Sequence, residues 1–390
     1  MQIGQQVGYS PSMAVYSIEL IKDIQSKSTT FSIYFFKIVS DFGISMVYIE
    51  AVLPFLFFSR IKGFYYVLNV SITLFIMSVS KMAFHAPRPY MLDDDIDVHD
   101  CSVEYGLPSG HAFGNSASIL VFLLDNLNSI GNLANKIIVC VGSAIFILLN
   151  GYSRLANGVH SLDQVLLGWQ FGILQSVIMH YSIRKKLSAH LQDIYANGKT
   201  ISQDRYLKYH MITIFAFIAG ILSIFGTYII IEKTFTPPTL WITRLHAKCE
   251  ADSLWELNPL SLIQSGVFCL GIFGYLGCLL SGSTQTHANQ VIWQRLIALI
   301  LLLLPAGVIQ IYNFETNSPY IESLQISYLP CAYAGFVMFY LMDKVSQIIF
   351  GSQSTNLHSG NLLSLSELNI KDYIIEIDGN KQNIGKITYI

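Results

Sequence analysis

Within residues 81–164, three short stretches gather residue types that do chemistry on anions. The first holds Lys81 and, seven residues on, Arg88 followed by Pro89; the second is Pro108-Ser109-Gly110-His111; the third carries Ser153-Arg154, then His160, with Asp163 and Gln164 behind it. Three converging cations would bind a dianion, and arginine grips phosphate through paired N–H groups in a fixed fork. Ser109-Gly110 opens a helix, where free backbone N–H groups and the helix dipole favour an anion and glycine permits close approach. With phosphate as the guest, two imidazoles divide the remaining labour: one attacks phosphorus, the other protonates the leaving oxygen. No metal or other cofactor is called for, because the cations neutralise charge in the transition state. Each element alone has a plainer reading, Lys81 and Arg88 as snorkelling anchors and the two histidines as helix-end polar residues; their co-occurrence on one side favours a joint role.

The elements that must position these residues are membrane helices. Of 390 residues 52% are hydrophobic and only 12% charged, with a mean hydropathy of +0.48, whereas soluble domains carry about 25% charge. A formal net charge of −2 gives no bulk attraction to polyanions, so nucleic acid is not a partner; a disordered hub and a secreted disulfide scaffold are excluded by the same composition. Residues 211–231 and 260–280 are charge-free runs long enough to cross a bilayer. Further spans read near 42–58, 64–80, 112–130, 137–152, 162–182, 290–311 and 326–342, nine in all. The expected fold is all-α, a polytopic membrane bundle whose early, Gly- and Ser-dotted spans pack inside it. Arg60, Lys62, Lys136, Arg184, Lys185, Lys186, Lys199, Arg205 and Lys208 fall in loops of one side, which positive segments mark as cytosolic. The three chemical stretches fall on the other. The expected organisation is an N-terminal interfacial segment at 1–40, a catalytic core of five spans at 41–184, a four-span bundle at 185–342 and a cytosolic tail at 343–390.

Lys-x6-Arg-Pro, Pro-Ser-Gly-His and Ser-Arg-x5-His resemble, in order and spacing, the signature of the type 2 phosphatidic acid phosphatase superfamily, which includes glucose-6-phosphatases, sphingosine-1-phosphate phosphatases and vanadium haloperoxidases. The resemblance implies that Lys81, Arg88 and Arg154 hold the phosphate with Ser109 and Gly110 assisting. It further implies that His160 is the nucleophile forming a phosphohistidine and His111 the acid that releases the alcohol and later activates water. One departure stands out: most members place an Asp four residues after the nucleophile, and here that position is Gln164, with Asp163 one earlier. Glucose-6-phosphatases look alike in this respect, and the amide carbonyl can accept the imidazole N–H, though with a weaker push on its basicity than a carboxylate. Glu104-Tyr105-Gly106-Leu107-Pro108 is similar to sphingosine-1-phosphate phosphatases, whereas Arg88-Pro89-Tyr90 and His-x3-Gln are similar to glucose-6-phosphatases. The favoured substrate is a lipid phosphate received from the leaflet; a sugar phosphate, or a non-catalytic phospholipid-binding relative, is the alternative. Partners are then membrane lipids, and the resemblance places the chain in the endoplasmic reticulum with a lumenal site. No feature of the sequence specifies an oligomeric state.

Other signals are weaker. In the acidic run Asp93, Asp94, Asp95, Asp97, Asp100, Glu104, the residues Asp93, Asp95, Asp97, His99 and Glu104 have EF-hand-like spacing, but Val98 stands where the sharp turn requires glycine, so the run reads as a solvated loop that repels stray anions or is ordered by nearby cations. Cys101 and Cys249 fall in loops of the non-cytosolic side, where an oxidising lumen permits a disulfide. His85, Tyr105 and Asn157 are candidate pocket members, and Glu50, inside the first span, must face a partner within the bundle. Residues 11–24 read as an amphipathic helix, the stretch 246–256 as a lumenal cap without zinc-ligand spacing, and the tail around Asp378-Gly379 as one hairpin.

Overall fold

The computed structural model describes residues 11–57, 59–197, 202–249, 256–281 and 318–342, with single positions between 296 and 305 and between 344 and 348. The chain divides into two units, Met1–Ser352 and Gln353–Ile390; the second, with the expected hairpin, lies outside the described residues. Among the described residues all regular structure is helical. Helices α1 (Pro11–Ser26), α2 (Thr30–Phe57), α3 (Arg60–Phe84), α4 (Pro89–Leu92), α5 (Gly110–Asn126), α6 (Leu133–Ala156), α7 (Leu162–Val177) and α8 (Arg184–Asn197) precede α9 (Gln203–Thr234), α10 (Thr239–Cys249), α11 (Leu257–Gln264) and α12 (Phe268–Ser281).

Five described helices have the length and composition to cross a membrane: Arg60–Leu92, Leu133–Ala156, Gln203–Thr234, Leu257–Ser281 and Pro319–Leu341. The other expected spans differ for stated reasons. The one at 42–58 is part of the longer α2, which carries Lys37, Asp41 and Glu50. The one at 112–130 is the 17-residue α5, continued by a 3-10 turn at Leu127–Ser129, at the lower end of the length a bilayer requires. That at 162–182 runs from α7 into a π-helical turn, Ile178–Ile183, and that at 290–311 falls mostly outside the described residues.

The early helices do not all lie inside the bundle. α3 packs against α2, α5, α9, α11 and α12, whereas α6 exposes Leu133, Ile137, Ile138, Val141, Ile145 and Leu148 along most of its length. Its buried residues all lie in the last turns, from Asn150 to Ala156, where Tyr152 alone is exposed. Apolar exposure on this scale suits lipid, where no hydrophobic force drives helices together and small residues must allow close packing instead. α7 supplies them: a Cβ on Gly172 would collide with Ser116 Oγ, and one on Gly168 would lie 2.7 Å from the Ser109 carbonyl oxygen. The α5–α7 pair is therefore in backbone contact, and Ser109 N–H donates to the Gln164 carbonyl at 2.9 Å. This pins the start of α5 to the first turn of α7.

Both ends of the bundle carry charge. At the end where α3 begins and α5 finishes, Lys62 and Arg184 meet Asp125, which also accepts from the Tyr66 hydroxyl at 2.7 Å. At the opposite end α1 docks by a buried face of Ala14, Ser17 and Ile21, while Lys22 reaches Asp93 and Asp95 at 2.9 and 2.8 Å. The helix expected at an interface thus has one face in the protein core. α10 caps the same end: Cys249 is disulfide-bonded to Cys101, and Arg244 pairs with Asp94 at 2.7 Å. Glu50 finds the partner it needs in Asn69, whose Nδ2 donates to Oε1 at 2.9 Å.

Candidate active site

The site is built where α3 ends and α5 and α7 begin. His85, in the left-handed region at φ 37°, terminates α3, so the chain turns and delivers Arg88 two residues after Ala86, just before the Pro89 that starts α4. Ser109 caps α5 through its hydroxyl, which accepts from Ala112 N–H. Ser161 and Gln164 form the S-x-x-Q capping box of α7, with Ser161 N–H donating to Gln164 Oε1 at 3.3 Å. Local helix-start chemistry therefore sets both Gly110-His111 and the residues behind His160.

Tertiary structure brings the expected residues together. Lys81, Arg88, Arg154, Ser109, His160 and Gln164 are all buried, none more than 2% exposed. Arg88 donates through Nη1 to the Val159 carbonyl at 2.9 Å and to His160 Nε2 at 3.1 Å. Gly110 lies so close to Lys81 that a Cβ there would be 3.8 Å from its Nζ. Arg154, Lys81 and Arg88 act electrostatically on both His111 and His160.

The protonation of His160 follows from its partners. Gln164 Nε2 donates to the Pro87 carbonyl at 2.8 Å, so its Oε1 faces His160 and must accept from Nδ1–H, at 3.0 Å. Arg88 can only donate, so Nε2, 3.1 Å away, must offer its lone pair. Both bonds require the same tautomer, with an unprotonated Nε2. Burial first, then Arg88, Arg154 and Lys81, hold the His160 imidazole well below the usual histidine range. The amide performs two tasks here, since a carboxylate at 164 would accept from His160 but set its second oxygen against the Pro87 carbonyl. The Oδ1 of Asp163 is buried without a hydrogen-bond partner. Gly106 is part of this arrangement, because a Cβ would lie 2.5 Å from Gln164 Nε2.

Sequence reasoning missed the counter-ions. Buried charge must be paired, and the acidic run pairs it: Glu104 lies against Lys81 and, at 3.0 Å, Arg88 Nη2, while its carbonyl accepts from Arg88 Nε at 2.7 Å. Asp100 and Ser40 hold Arg154 Nη1, leaving Nε and Nη2 buried without hydrogen-bond partners. Burial alone would raise the Glu104 carboxyl, but Lys81 and Arg88 outweigh it and hold it below the ordinary carboxylate range. The run thus divides: Asp94, Asp95 and Asp97 are exposed, with Arg244 and Lys22 pairing the first two, as a loop ordered by nearby cations should be, whereas Asp100 and Glu104 turn inward onto the motif cations, and the density of acids beside a cationic motif was the available signal. Of the other candidates, His85 lies against Phe235 with ring centroids 4.3 Å apart and the rings tilted, Tyr105 is buried among apolar side chains, and Asn157 ends α6 with both side-chain polar atoms buried and unpaired.

These features define a polytopic helical membrane protein with a buried, cation-lined imidazole site. Residues 62–188, which contain every residue of that site except Ser40, match the family model of the PAP2 superfamily. Members of the family are generally phosphatases, which supports a phosphoric ester hydrolase. Neither the curated proteins nor the solved structures yield a match to this chain.

Proposed function

We propose that the protein is a metal-independent membrane phosphatase that dephosphorylates a lipid phosphate, of the sphingosine-1-phosphate or phosphatidate kind, through a phosphohistidine. The observation that carries the reading is His160 Nε2: unprotonated, 3.1 Å from Arg88, and backed by Gln164 on its other nitrogen. Phosphate enters among Lys81, Arg88 and Arg154, whose unpaired Nε and Nη2 are donors for its oxygens, with the α5 N-terminus at Ser109-Gly110 assisting. His160 Nε2 bonds to phosphorus as the ester P–O bond breaks, and the leaving oxygen takes a proton from His111. Water then attacks phosphorus, giving its proton to His111, and the N–P bond breaks to release phosphate and restore His160.

A lipid is favoured over a sugar by a cavity of about 610 Å³ walled by Phe42, Met46, Ile49, Phe122, Val139 and Phe146. It runs between α2, α5 and α6, the helices that carry Ser40, His111 and Arg154; on α2 its lining begins at Phe42, two residues beyond Ser40, and on α5 at Ser118. An apolar space of this size, on helices that also carry the cup, suits an alkyl chain. The Cys101–Cys249 disulfide on the site's side supports a lumenal, oxidising location such as the endoplasmic reticulum. The decisive assay is phosphate release by detergent-purified protein, with chelator present, from sphingosine-1-phosphate, lysophosphatidate, diacyl phosphatidate and glucose-6-phosphate. Release from glucose-6-phosphate alone would replace the lipid by a sugar, and release from none would leave a phospholipid-binding role.

A further inference from the structure

Glu104 and Asp100 belong to none of the three motifs, yet both are seated on the motif cations. We propose that they are positioning residues that set the charge of the cup, so that a phosphomonoester dianion is balanced only when His111 carries the proton that the leaving alcohol takes. The proposal rests on the hydrolytic reading above.

Lys81, Arg88 and Arg154 set against Glu104 and Asp100 leave the empty cup with one net positive charge. A phosphomonoester dianion brings two negative charges, so balance in a buried site asks for one proton more. Few groups can take it. His160 is committed, its Nδ1–H on Gln164 and its Nε2 facing Arg88. Glu104 is held ionised by Lys81 and Arg88, and Asp100 is paired with Arg154 while accepting from Ser40 at 3.1 Å. His111 remains: it is the second residue of α5, next to Gly110, whose added Cβ would lie 3.8 Å from Lys81 Nζ, and Arg154, Lys81 and Arg88 oppose its proton while Glu104 favours it. Without the carboxylates, three cations would more than balance the dianion and drive the proton off His111, leaving no acid at the ester oxygen. A phosphodiester, with one negative charge, is balanced without that proton, so the same arithmetic selects monoesters.

The test is the pH dependence of kcat on a lipid phosphate, together with vanadate inhibition, for full-length wild type, Glu104→Gln, Glu104→Asp and Asp100→Asn. The basic limb of kcat reports His111 losing its proton in the complex. Removing one carboxylate takes a negative charge from the sum around His111 and moves that limb to lower pH, while vanadate inhibits more tightly. Glu104→Asp keeps the charge and returns the limb towards the wild-type position. An unmoved or alkaline-shifted limb, or lost turnover with weaker vanadate inhibition as a purely structural role would give, overturns the proposal. Should Glu104→Gln not fold, Asp100→Asn decides the matter, its side chain being 22% exposed against 13% for Glu104. Absence of phosphate release by the wild type would instead overturn the hydrolytic reading itself.

Discussion

Replacing Gln164 by alanine removes both ends of a relay: the Oε1 that accepts from His160 Nδ1–H at 3.0 Å and the Nε2 that donates to the Pro87 carbonyl at 2.8 Å. The imidazole keeps its place beside Arg88 but loses the acceptor that selects its tautomer. A buried N–H left unsatisfied costs about 1–3 kcal/mol, and each 1.36 kcal/mol expressed in the transition state is about tenfold in rate. Loss of orientation adds to this, so kcat is expected to fall about 100-fold, with KM changed far less because the phosphate-binding cations are untouched. Asp163→Ala is the control one residue away. Its carboxylate makes no bond to His160, and its favourable place in the first turn of α7 is worth about 0.3–1 kcal/mol of helix stability, so turnover stays within about threefold. Steady-state phosphate release with kcat and KM resolved measures both. A larger loss in Asp163→Ala than in Gln164→Ala, or a Gln164→Ala enzyme close to wild type, would refute the assignment of Gln164 as the residue that orients His160.

Further outcomes follow from the same geometry. His160→Ala abolishes turnover by about 10⁴-fold or more, and acid-labile, base-stable phosphate trapped on the wild-type chain from labelled substrate is absent from the variant; trapping at an unchanged level would place the nucleophile elsewhere. The acid limb of kcat/KM depends on His160 staying neutral, and burial together with Arg88, Arg154 and Lys81 holds its proton affinity down. Arg88→Gln removes one of these cations, raises that affinity and moves the acid limb to higher pH, measured against the wild type with the same substrate; a shift to lower pH contradicts the electrostatic account. Gly142 lines the apolar cavity, with nothing within 4 Å of an added Cβ, so Gly142→Phe fills space without displacing protein. KM for a long-chain lipid phosphate should rise several-fold while that for a short, water-soluble phosphate ester does not change, and equal effects on both would remove the cavity from substrate binding.

Much of the helical fold and the membership of the cup were legible because they depend on local quantities. Charge-free runs announce helices that satisfy their own backbone in lipid, and Ser109 and Ser161 cap helices by short-range hydrogen bonds, so the places where His111 and His160 enter are written nearby in the chain. Span number was less legible. α5 is at the lower limit of spanning length and α2 carries three charged residues, yet both pack against α3 and α6, which a hydropathy profile cannot see.

What the sequence by itself determined is the kind of chemistry: three cations and two imidazoles at fixed intervals, on helix ends of one side, in a chain too apolar for water. What only the tertiary structure decided is their state. Glu104 reaches Lys81 and Arg88, Asp100 reaches Arg154, and Pro87 turns the Gln164 amide. The partners in these contacts are separated by 16 to 77 residues along the chain. Motif spacing records which groups must be present, but the charge of a buried cup and the tautomer of its nucleophile are sums over neighbours, and the neighbours are chosen by the close approach of α5 to α7 and by the loop that Cys101 fastens to α10.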